Sequence, residues 1–561
     1  MHSVITITRQ VHFQAPCCTA CQSLLQKWTQ ASREKSTAVV DIPVIKVPKR
    51  LEKKVALTRK VRKDRGQFQW QGRVFNSRPG KEILSAKRKE FNYYQNQIYE
   101  TKAPVKLASQ GWKHKKSVGD HFTLLAHRGN PSIYDPDLEE KANLQFSKYN
   151  LDDRLLTELE DINIVTPTII QDIAIPVLMK GRNTLFAAET GSGKTLAYLL
   201  PILDSLLKQR DKYDGGDVAS PRAVILLPAR ELAQQVHIVA EHLTKNYGIN
   251  SELLDRVSNS DLDKENLERP IDLLVATSGK IIKAVKNGLI SLRSVRHTVI
   301  DETDTLLDDS FKSSTLHILK KMEISQTPVS PLGSGPGSQL ILSGATMPKQ
   351  AITALEDVLS ENSLDVISTP HLHRVQPHVT QRFMRLHSKD KAVTLLQLLG
   401  KDVRTKTAVM VFCNETSTCN WLAYVLEENG IDCLRLNGDM KTKDRRGVME
   451  AFQSGSCDIL VSTDIASRGI DTHRVEHIIN FDFPTFMSDY IHRVGRVGRV
   501  SSKAGGRVSS FVIHKWDVDL VNKIESAVRN RESLPRVDAN IKRKHVLRNT
   551  DSTPFNQLLF E

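Results

Sequence analysis

Short apolar runs alternate with stretches of helical period from about residue 146 onward. Residues 184–188 form one such run, and apolar positions recur at helical spacing over residues 196–207. The further runs that predict strands are 222–227, 272–276, 297–300 and 339–343, and then 407–412, 432–436, 457–462, 476–481 and 507–513. Strands that alternate with helices predict an α/β fold with doubly wound parallel sheets, and the two series indicate two domains.

The same pattern sets the expected domain boundaries. We expect residues 146–361 to form the first domain and residues 386–535 the second. The pattern is lost over residues 362–385, which indicates a linker, and residues 536–561 are a polar tail with a basic Lys542-Arg-Lys544 run. A chain of 561 residues is too long for one core, so several folded units are expected.

The composition is that of a soluble globular protein, with 40% hydrophobic and 25% charged residues. The sequence contains no apolar run of about 18 residues, so we expect no membrane span. Cys18 and Cys21 form an isolated CxxC without a second pair nearby. This spacing argues against a zinc site and favours reduced thiols.

The net charge of +15 is concentrated at one end of the chain. Residues 1–145 carry 27 Lys and Arg against 12 Asp and Glu, whereas the remaining residues carry 52 of each sign. The excess therefore lies entirely in the N-terminal quarter. A basic segment joined to an electrically balanced body favours a polyanion as the partner.

The first 33 residues have the composition of a mitochondrial transit peptide. They contain Arg9, Lys27 and Arg33, are rich in Ser, Thr and Gln, and reach no acidic residue before Glu34. The alternative is an unstructured N-terminus of a cytosolic protein. A secretory signal is disfavoured because the segment has no continuous apolar core.

Residues 34–145 predict a basic, partly disordered extension that contacts RNA. Its basic runs are Lys46 to Arg65, Lys87-Arg-Lys89 and Lys113-His-Lys-Lys116. The aromatic residues among them are Phe68, Trp70, Phe75, Tyr93 and Tyr94. Cations neutralise phosphates and aromatic rings stack on unpaired bases. A solvated tail or a nuclear-import signal is the alternative, and the two readings are compatible.

The apolar run at 184–188 is followed by a glycine-rich turn and a helix, which is the context that a phosphate-binding loop requires. The residues predicted to bind the nucleotide here are Ala188, Glu189, Thr190, Gly191, Ser192, Gly193, Lys194 and Thr195. Gly191 and Gly193 allow backbone N–H groups to face phosphate oxygens. Lys194 can reach the β- and γ-phosphates, and Thr195 can offer its hydroxyl to Mg²⁺.

Val299-Ile-Asp-Glu-Thr-Asp304 is a predicted strand that ends in acidic residues. Asp301, at the carboxyl end of the strand, can hold Mg²⁺ through water. Glu302 can polarise the attacking water. The alternative interpretation is a helix N-terminus at which acidic side chains are favourable.

These ordered motifs resemble those of the DEAD-box RNA helicases, two-RecA-domain ATPases, over about residues 146–515. The resemblance implies two tandem RecA-like domains with ATP and Mg²⁺ as cofactors. Phe146 and Pro167-Thr-Ile-Ile-Gln171 resemble the adenine-reading Q motif. This similarity implies that Phe146 stacks on the base and that Gln171 bonds its edge.

The resemblance also implies that both domains bind RNA. The implied RNA-binding residues are Pro228, Arg230, Glu231, Thr277 and Gly279 in the first domain, and Asn414, Arg445, Thr463, Arg468 and Gly469 in the second. Asp464 is implied as a nucleotide contact. Arg496 and Arg499 resemble arginine fingers that reach the γ-phosphate only when the domains close. The implied catalytic residues are Glu302, Asp301, Lys194, Arg496 and Arg499.

The chain departs from the family pattern at several positions. Thr303 stands where alanine gives the family its name, and Gly344 replaces a serine that usually bonds the acidic motif. Thr442 and Val497 replace the usual glutamine and threonine, and residues 253–260 lack a pair of glycines. Since both catalytic acids are kept, we expect the chain to hydrolyse ATP. The other departures predict weak intrinsic unwinding.

The resemblance implies an RNA-dependent ATPase that locally unwinds or remodels RNA. The basic extension, the transit-like start and Gly344-Ala-Thr346 most resemble the mitochondrial member of the family associated with assembly of the large mitoribosomal subunit. This implies structured ribosomal RNA as substrate, ribosome-assembly proteins as partners and the mitochondrial matrix as location, with a nuclear or nucleolar pool as a further option. A monomer is expected.

Two other functions stay open at this point. An ATP-gated RNA clamp or assembly scaffold with weak unwinding is motivated by Gly344 and by the absent glycine pair. A DNA translocase is disfavoured because the Q motif and His492-Arg493 resemble the RNA branch of the superfamily.

Overall fold

The computed structural model contains two packed α/β domains and an N-terminal adjunct. It describes residues 80–97, 105–133, 144–210, 219–254, 270–308, 311–330, 337–347, 349–445, 447–464, 473–500, 502, 505–535 and 537. The predicted transit segment 1–33, the basic run 46–65 and all of the tail 536–561 except residue 537 lie outside the described residues.

The first domain is built on a parallel sheet that has seven strands in the described part of the chain. Its strands are β4 (Asn183–Ala187), β5 (Ala223–Leu227), β6 (Ser251–Leu254), β7 (Leu273–Thr277), β8 (His297–Asp301), β9 (Gln339–Gly344) and β10 (Leu364–Ser368). Their order is β10-β4-β9-β8-β5-β7-β6. Most of these strands are buried along their whole length, as expected for a sheet covered by helices on both faces.

Helices of the first domain pack on the two faces of this sheet and form two apolar clusters. They are α1 (Asp153–Asp161), α2 (Ile169–Leu178), α3 (Lys194–Arg210), α4 (Arg230–Thr244), α5 (Ser278–Lys286), α6 (Thr303–Leu306), α7 (Lys312–Lys321) and α8 (Lys349–Ala354). A 3₁₀ turn, Phe146–Tyr149, precedes α1. The helix predicted over 196–207 is thus α3, which begins directly at the phosphate-loop lysine.

The second domain contains a six-stranded parallel sheet within the described residues. Its strands are β11 (Thr380–Arg385), β12 (Val409–Cys413), β13 (Leu434–Leu436), β14 (Ile459–Thr463), β15 (His477–Asn480) and β16 (Arg507–Val512), in the order β13-β14-β12-β15-β16-β11. Its helices are α9 (Lys391–Thr405), α10 (Thr416–Glu428), α11 (Thr442–Arg445), α12 (Val448–Ser454), α13 (Met487–Val494) and α14 (Lys515–Asn530). The predicted fold class, two tandem doubly wound parallel sheets, is confirmed.

Part of the basic extension continues this second sheet. The added strands are β1 (Glu82–Ala86), β2 (Tyr93–Tyr94) and β3 (His121–Leu124). β3 pairs antiparallel with β11, β1 with β3, and β2 with β1. Residues 80–97 and 105–124 are therefore ordered parts of the predicted, partly disordered extension, because β11 offers an unpaired edge that these strands cover.

Aromatic packing fixes the added strands to the second domain. The Phe122 ring stacks on Phe383 of β11 with centroids 4.8 Å apart, and Trp112 lies 5.5 Å from Phe122. Trp112 is only 1% exposed. Arg385 Nε donates to the Trp112 carbonyl at 2.9 Å. These side chains belong to the apolar core of the second domain, so the adjunct is part of that core.

A buried ion pair on α14 anchors the same adjunct. Glu525 pairs with Arg529 at 2.7 Å, one turn apart on the helix. The Glu525 carboxylate also accepts the backbone N–H groups of Ala108 and Ser109 at 2.7 and 3.0 Å. Arg529 donates to the Phe91 carbonyl at 2.6 Å. Each buried charge thus has hydrogen-bonded partners, the condition under which such a pair is tolerated.

The predicted linker at 362–385 contains two strands. β10 is an edge strand of the first sheet, where it pairs with β4, and β11 belongs to the second sheet. The chain crosses between the sheets over residues 369–379. The hydrophobic patterns of these two strands are weak because β10 is half exposed at the edge and β11 carries three polar side chains before Phe383.

Among the described helices, none combines the length and apolar character needed to cross a bilayer.

Replacement of Trp112 tests whether the extension is part of the domain core. We expect Trp112→Ala to lower the free energy of unfolding by about 3–5 kcal/mol, because it leaves a large cavity in a buried aromatic cluster. The matched control is Trp421→Ala, since Trp421 is 49% exposed and its loss should cost less than about 1 kcal/mol. Urea unfolding followed by circular dichroism measures both, and equal small effects would contradict docking of the extension.

Candidate active site and RNA-binding face

The predicted nucleotide residues of the first domain meet where three neighbouring strands end. Ala187 of β4 pairs with Gly344 of β9, and Ser343 of β9 pairs with Asp301 of β8. The phosphate loop, the Gly344 loop and the acidic motif therefore follow adjacent strands at one edge. In doubly wound sheets this carboxyl edge is where ligands bind.

The phosphate loop is a compact turn that closes on its own lysine. Gly191 and Gly193 adopt φ values of 76° and 89°, which favour glycine. Lys194 Nζ donates to the carbonyl oxygens of Ala188 and Glu189 at 3.1 and 3.0 Å. Burial lowers the pKa of the Lys194 ammonium, while the carboxylates of Glu302 and Asp301 act in the opposite sense. The lysine is thus held at the centre of the loop, close to both acids.

Gln171 connects the predicted adenine-reading helix to the phosphate loop. Its side chain forms a capping box at the start of α2, where Oε1 accepts the Thr168 N–H at 2.8 Å. Its Nε2 donates to the Gly193 carbonyl at 3.0 Å. Phe146 is 3% exposed and packs edge-on to Tyr149 with centroids 6.3 Å apart. The structure therefore places Gln171 against the loop and Phe146 within the core of the first domain.

The two predicted catalytic acids differ in their environments. Asp301 accepts the Tyr198 hydroxyl at 3.1 Å and the backbone N–H of Glu302 at 2.9 Å. Burial, together with the adjacent Glu302, raises the pKa of Asp301 to about 6. Glu302 sits in the left-handed region at φ 51°, an uncommon conformation for a residue with a side chain. Its Oε2 is buried and has no hydrogen-bond partner among the described residues.

Thr303 and Gly344, the two departures nearest the acids, face one another. The Thr303 hydroxyl lies 2.9 Å from the Ile300 carbonyl and 3.0 Å from the Ser343 carbonyl. A hydroxyl that belongs to the acidic motif therefore links this motif to the end of β9. A Cβ added at Gly344 would lie 2.9 Å from the Thr346 carbonyl, so a serine there requires this loop to shift.

Asp304 joins the two domains, a role that the sequence analysis did not assign. Its Oδ2 accepts the Thr346 hydroxyl at 2.6 Å and lies 3.0 Å from Nε2 of His492 on α13. Both side chains are buried. The signal was present in the sequence, because Asp304 ends the acidic motif and His492 lies in the arginine motif, residues 490–499. Only the folded chain shows that His492 and Thr346 share one oxygen of Asp304.

The predicted arginine fingers lie on the other side of the cleft. Arg496 is 1% exposed and its Nε donates to the His492 carbonyl at 3.1 Å. Arg499 packs directly on the phosphate loop, since a Cβ added at Gly191 would lie 2.5 Å from its Cγ. The Val500 N–H donates to the Gly191 carbonyl at 3.3 Å. The structure thus brings Arg499 of the second domain against the loop of the first.

The predicted RNA-binding residues follow the carboxyl ends of strands in both domains. Pro228, Arg230 and Glu231 follow β5, Thr277 and Gly279 lie at the junction of β7 with α5, Asn414 follows β12, Arg445 ends α11, and Thr463 ends β14. Glu231 and Arg445 form an ion pair of 2.8 Å across the domains. Arg468 and Gly469 lie outside the described residues.

Arg493 binds two of the predicted site residues to each other. It pairs with the Asp464 carboxylate through contacts of 2.6 and 2.7 Å and donates to Asn414 Oδ1 at 2.6 Å. In this structure Asp464, an implied nucleotide contact, is therefore engaged within its own domain. The buried guanidinium holds the ends of β12 and β14 in register.

Comparison with known proteins assigns this architecture to a family. The DEAD/DEAH box helicase model matches residues 168–355, and the helicase conserved C-terminal domain matches residues 390–501. The chain belongs to the DEAD/DEAH box helicase family. It is 42% identical over 513 residues to the Mus musculus protein named Probable ATP-dependent RNA helicase DDX28, covering 89% of this chain and 93% of that relative. The Homo sapiens protein of the same name is 41% identical over 514 residues, with the same coverage.

Solved structures of similar fold contain RNA and nucleotide. S. cerevisiae Dbp5 bound to RNA and ADP BeF3 is 25% identical, with a TM-score of 0.56 over 68% of this DEAD-box chain and 93% of that one. Mss116p bound to ssRNA and AMP-PNP is 18% identical, with a TM-score of 0.59 over 73% and 80%, and shows the fold alone. This DEAD-box protein is an ATP-dependent RNA helicase with RNA-dependent ATPase activity, and the predicted family is confirmed.

Removal of the Thr303 hydroxyl tests the link between the acidic motif and β9. We expect Thr303→Val to lower the free energy of unfolding by about 1–2 kcal/mol, because the carbonyls of Ile300 and Ser343 lose the one hydroxyl hydrogen that they share while the side-chain shape is kept. Thr157→Val is the control, since Thr157 is exposed on α1 and its hydroxyl bonds only within the helix. Urea unfolding compares the two. Equal effects would contradict a specific role for Thr303.

Proposed function

We propose that this helicase remodels structured ribosomal RNA during assembly of the large mitochondrial ribosomal subunit, with Mg²⁺ and ATP bound between its domains. The observation that supports this most is the meeting of the phosphate loop, the acidic motif and Arg499 at one interdomain cleft. A γ-phosphate transition state needs positive charge on several sides. Lys194 supplies it from the first domain, and Arg496 and Arg499 from the second.

Asp301 and Thr195 provide a set of oxygen ligands that fits Mg²⁺. The carboxylate of Asp301 and the hydroxyl of Thr195 are hard oxygen ligands of the kind that this ion binds. A nearby cation would favour ionised Asp301 against the burial that raises its pKa. The buried, unpartnered Glu302 Oε2 suits a bound water as its partner, and we assign Glu302 to polarise that water.

RNA binding across both domains would favour the closed arrangement and thereby stimulate hydrolysis. The Glu231–Arg445 pair shows how near the implied RNA-binding motifs of the two domains lie. Opening of the cleft after hydrolysis separates those motifs and releases the RNA. This is a gating role for closure, as in other enzymes whose catalytic groups meet only in the closed state.

A basic surface on the adjunct continues the RNA-binding edge of the second sheet. The loop before β3 lies at the carboxyl end of β11, where Asp120 and Gly119 bond the Arg385 backbone. Lys115 and Lys116 are exposed on this loop, and Lys87 donates to the Gly119 carbonyl at 2.9 Å. The edge also carries the exposed indole of Trp516, stacked on His514 at 4.4 Å. Lysines beside an aromatic ring suit single-stranded RNA.

The location and the ribosomal substrate are supported by the transit-like composition of residues 1–33 and by the basic surface. Two related proteins are named probable ATP-dependent RNA helicases, which supports the choice of RNA over DNA. We also propose that the chain acts as a monomer with ribosome-assembly proteins as partners. A nuclear or nucleolar pool is a further option for a chain with basic runs of this kind.

Glu302→Gln tests the catalytic assignment. We expect the variant to bind ATP and RNA tightly while turnover falls by at least about 10²-fold, because the water loses its base. Lys194→Ala should instead lose nucleotide binding as well. Steady-state phosphate release with and without structured RNA measures turnover, and filter binding measures retained RNA. Undiminished phosphate release by Glu302→Gln would refute the assignment.

The alternative clamp function is decided by strand displacement with the unmodified protein. It was motivated by Gly344, yet Thr303 supplies a hydroxyl to the same loop. Robust ATP-dependent release of a short duplex would exclude a clamp that lacks unwinding. Tight ATP-dependent RNA binding with negligible duplex release would favour it.

Neutralisation of the basic surface tests its contact with RNA. We expect Lys115→Gln with Lys116→Gln to reduce the slope of log affinity against log salt by about 1.4, since each phosphate contact with a single strand contributes about 0.7. Deletion of residues 34–145 is a poor test, because it removes strands from the second sheet. The control is Lys401→Gln with Lys406→Gln, at the opposite edge near the start of β12. Equal slopes for both pairs would contradict RNA contact at this surface.

A further inference from the structure

The residue that precedes Arg499 is held from outside the arginine motif. Gly498 adopts φ 65°, and a Cβ there would lie 2.6 Å from Nε2 of His378. Its carbonyl accepts His378 Nε2 at 2.7 Å and Asn130 Nδ2 at 3.0 Å. Because a carbonyl oxygen only accepts, both side chains must present a hydrogen to it. Two donors thus fix the peptide group between Gly498 and Arg499.

The other side of Arg499 is fixed by the phosphate loop. The Val500 N–H donates to the Gly191 carbonyl at 3.3 Å. The backbone of Arg499 therefore runs between one peptide group held by Asn130 and His378 and another held by the loop. A side chain that must meet a phosphate to within tenths of an ångström depends on such supports.

Asn130 belongs to a segment, Leu125–Ile133, that crosses from one domain to the other. It leaves β3 of the second sheet, and the His127 N–H donates to the Pro377 carbonyl at 2.9 Å. Beyond Asn130, the carbonyl of Ser132 accepts the N–H of Ile169 at 3.0 Å, at the start of the adenine-reading helix. The crossing segment therefore contacts the second domain, the arginine motif and the Q motif in turn.

Only an amide suits position 130. Asn130 Oδ1 accepts the Ser132 N–H at 3.0 Å while Nδ2 faces the Gly498 carbonyl. The two partners have opposite polarity, so the orientation of the amide is determined. Asp would keep the bond to Ser132 and place a second acceptor against a carbonyl. An apolar side chain would lose both bonds.

We propose that Asn130 is a positioning residue for Arg499, so that the N-terminal extension takes part in ATP hydrolysis as well as in RNA contact. This inference depends on the proposed role of Arg499 as the finger. The hydrogen bonds of Asn130 run to Gly498 and Ser132, so its role is to position the finger. It acts on the rate of hydrolysis by fixing the peptide group before the finger.

The test is Asn130→Asp in the full chain, assayed for RNA-stimulated ATP hydrolysis. We expect kcat to fall by about tenfold. This loss is smaller than the roughly 10²-fold loss that a full 1 Å misplacement causes. The KM for ATP should change by less than about twofold. Ser132→Ala is the matched control, because the bonds that Ser132 makes here use its backbone only. Its kcat should equal that of the unmodified protein.

A double-mutant cycle separates positioning from general damage. In an Arg499→Ala background, measured under single-turnover conditions, Asn130→Asp should cause no further loss, because both changes remove the same contribution. If Asn130→Asp does not give a cooperative unfolding transition, His378→Ala replaces it, since it removes the other donor to Gly498. An unchanged kcat, or a loss that adds fully to that of Arg499→Ala, would overturn the proposal. Full turnover by Arg499→Ala alone would instead refute the finger assignment.

Discussion

The contact between the phosphate loop and the arginine motif is the constraint on which the rest of the structure depends. Arg499 can lie against the loop only because Gly191 has no side chain. The same closure brings His492 within hydrogen-bonding distance of Asp304, whose Oδ2 already accepts the Thr346 hydroxyl within the first domain. One carboxylate oxygen therefore contacts both the loop after Gly344 and the second domain. The two domains are thereby joined by a buried, short contact that a small rotation of either domain would break.

Parallel sheets explain why the predicted nucleotide-binding and RNA-binding motifs fit on one pair of domains. All loops that follow the strands emerge at the carboxyl edge, so nucleotide and RNA motifs are side by side without any special fold. The Glu231–Arg445 pair and the Asp304–His492 contact lie in different parts of this shared edge. In the proposed mechanism closure assembles both sites at once, which is the physical reason why RNA and ATP should affect each other's binding.

The sequence predicted the central strands and the phosphate loop because their signals are local. A buried parallel strand is a continuous apolar run, and a glycine-rich turn before a helix is found within a dozen residues. β11 was missed because three polar side chains precede Phe383, and β3 was missed because it has only four residues and lies in a strongly basic region. Asn130 had no local signal at all, since its partner Gly498 is 368 residues away.

Thr303 and Gly344 show why departures from a family pattern must be judged together. Considered singly, the glycine removes a hydroxyl at the end of β9 and suggests a weakened link to the acidic motif. The fold places Thr303 so that its own hydroxyl reaches the Ser343 carbonyl, which restores a bond between the same two loops. A serine at position 344 would now crowd the Thr346 carbonyl, whose residue bonds Asp304. The two positions therefore form one structural unit, and restoring only one of them to the common residue would disturb the contact that couples the domains.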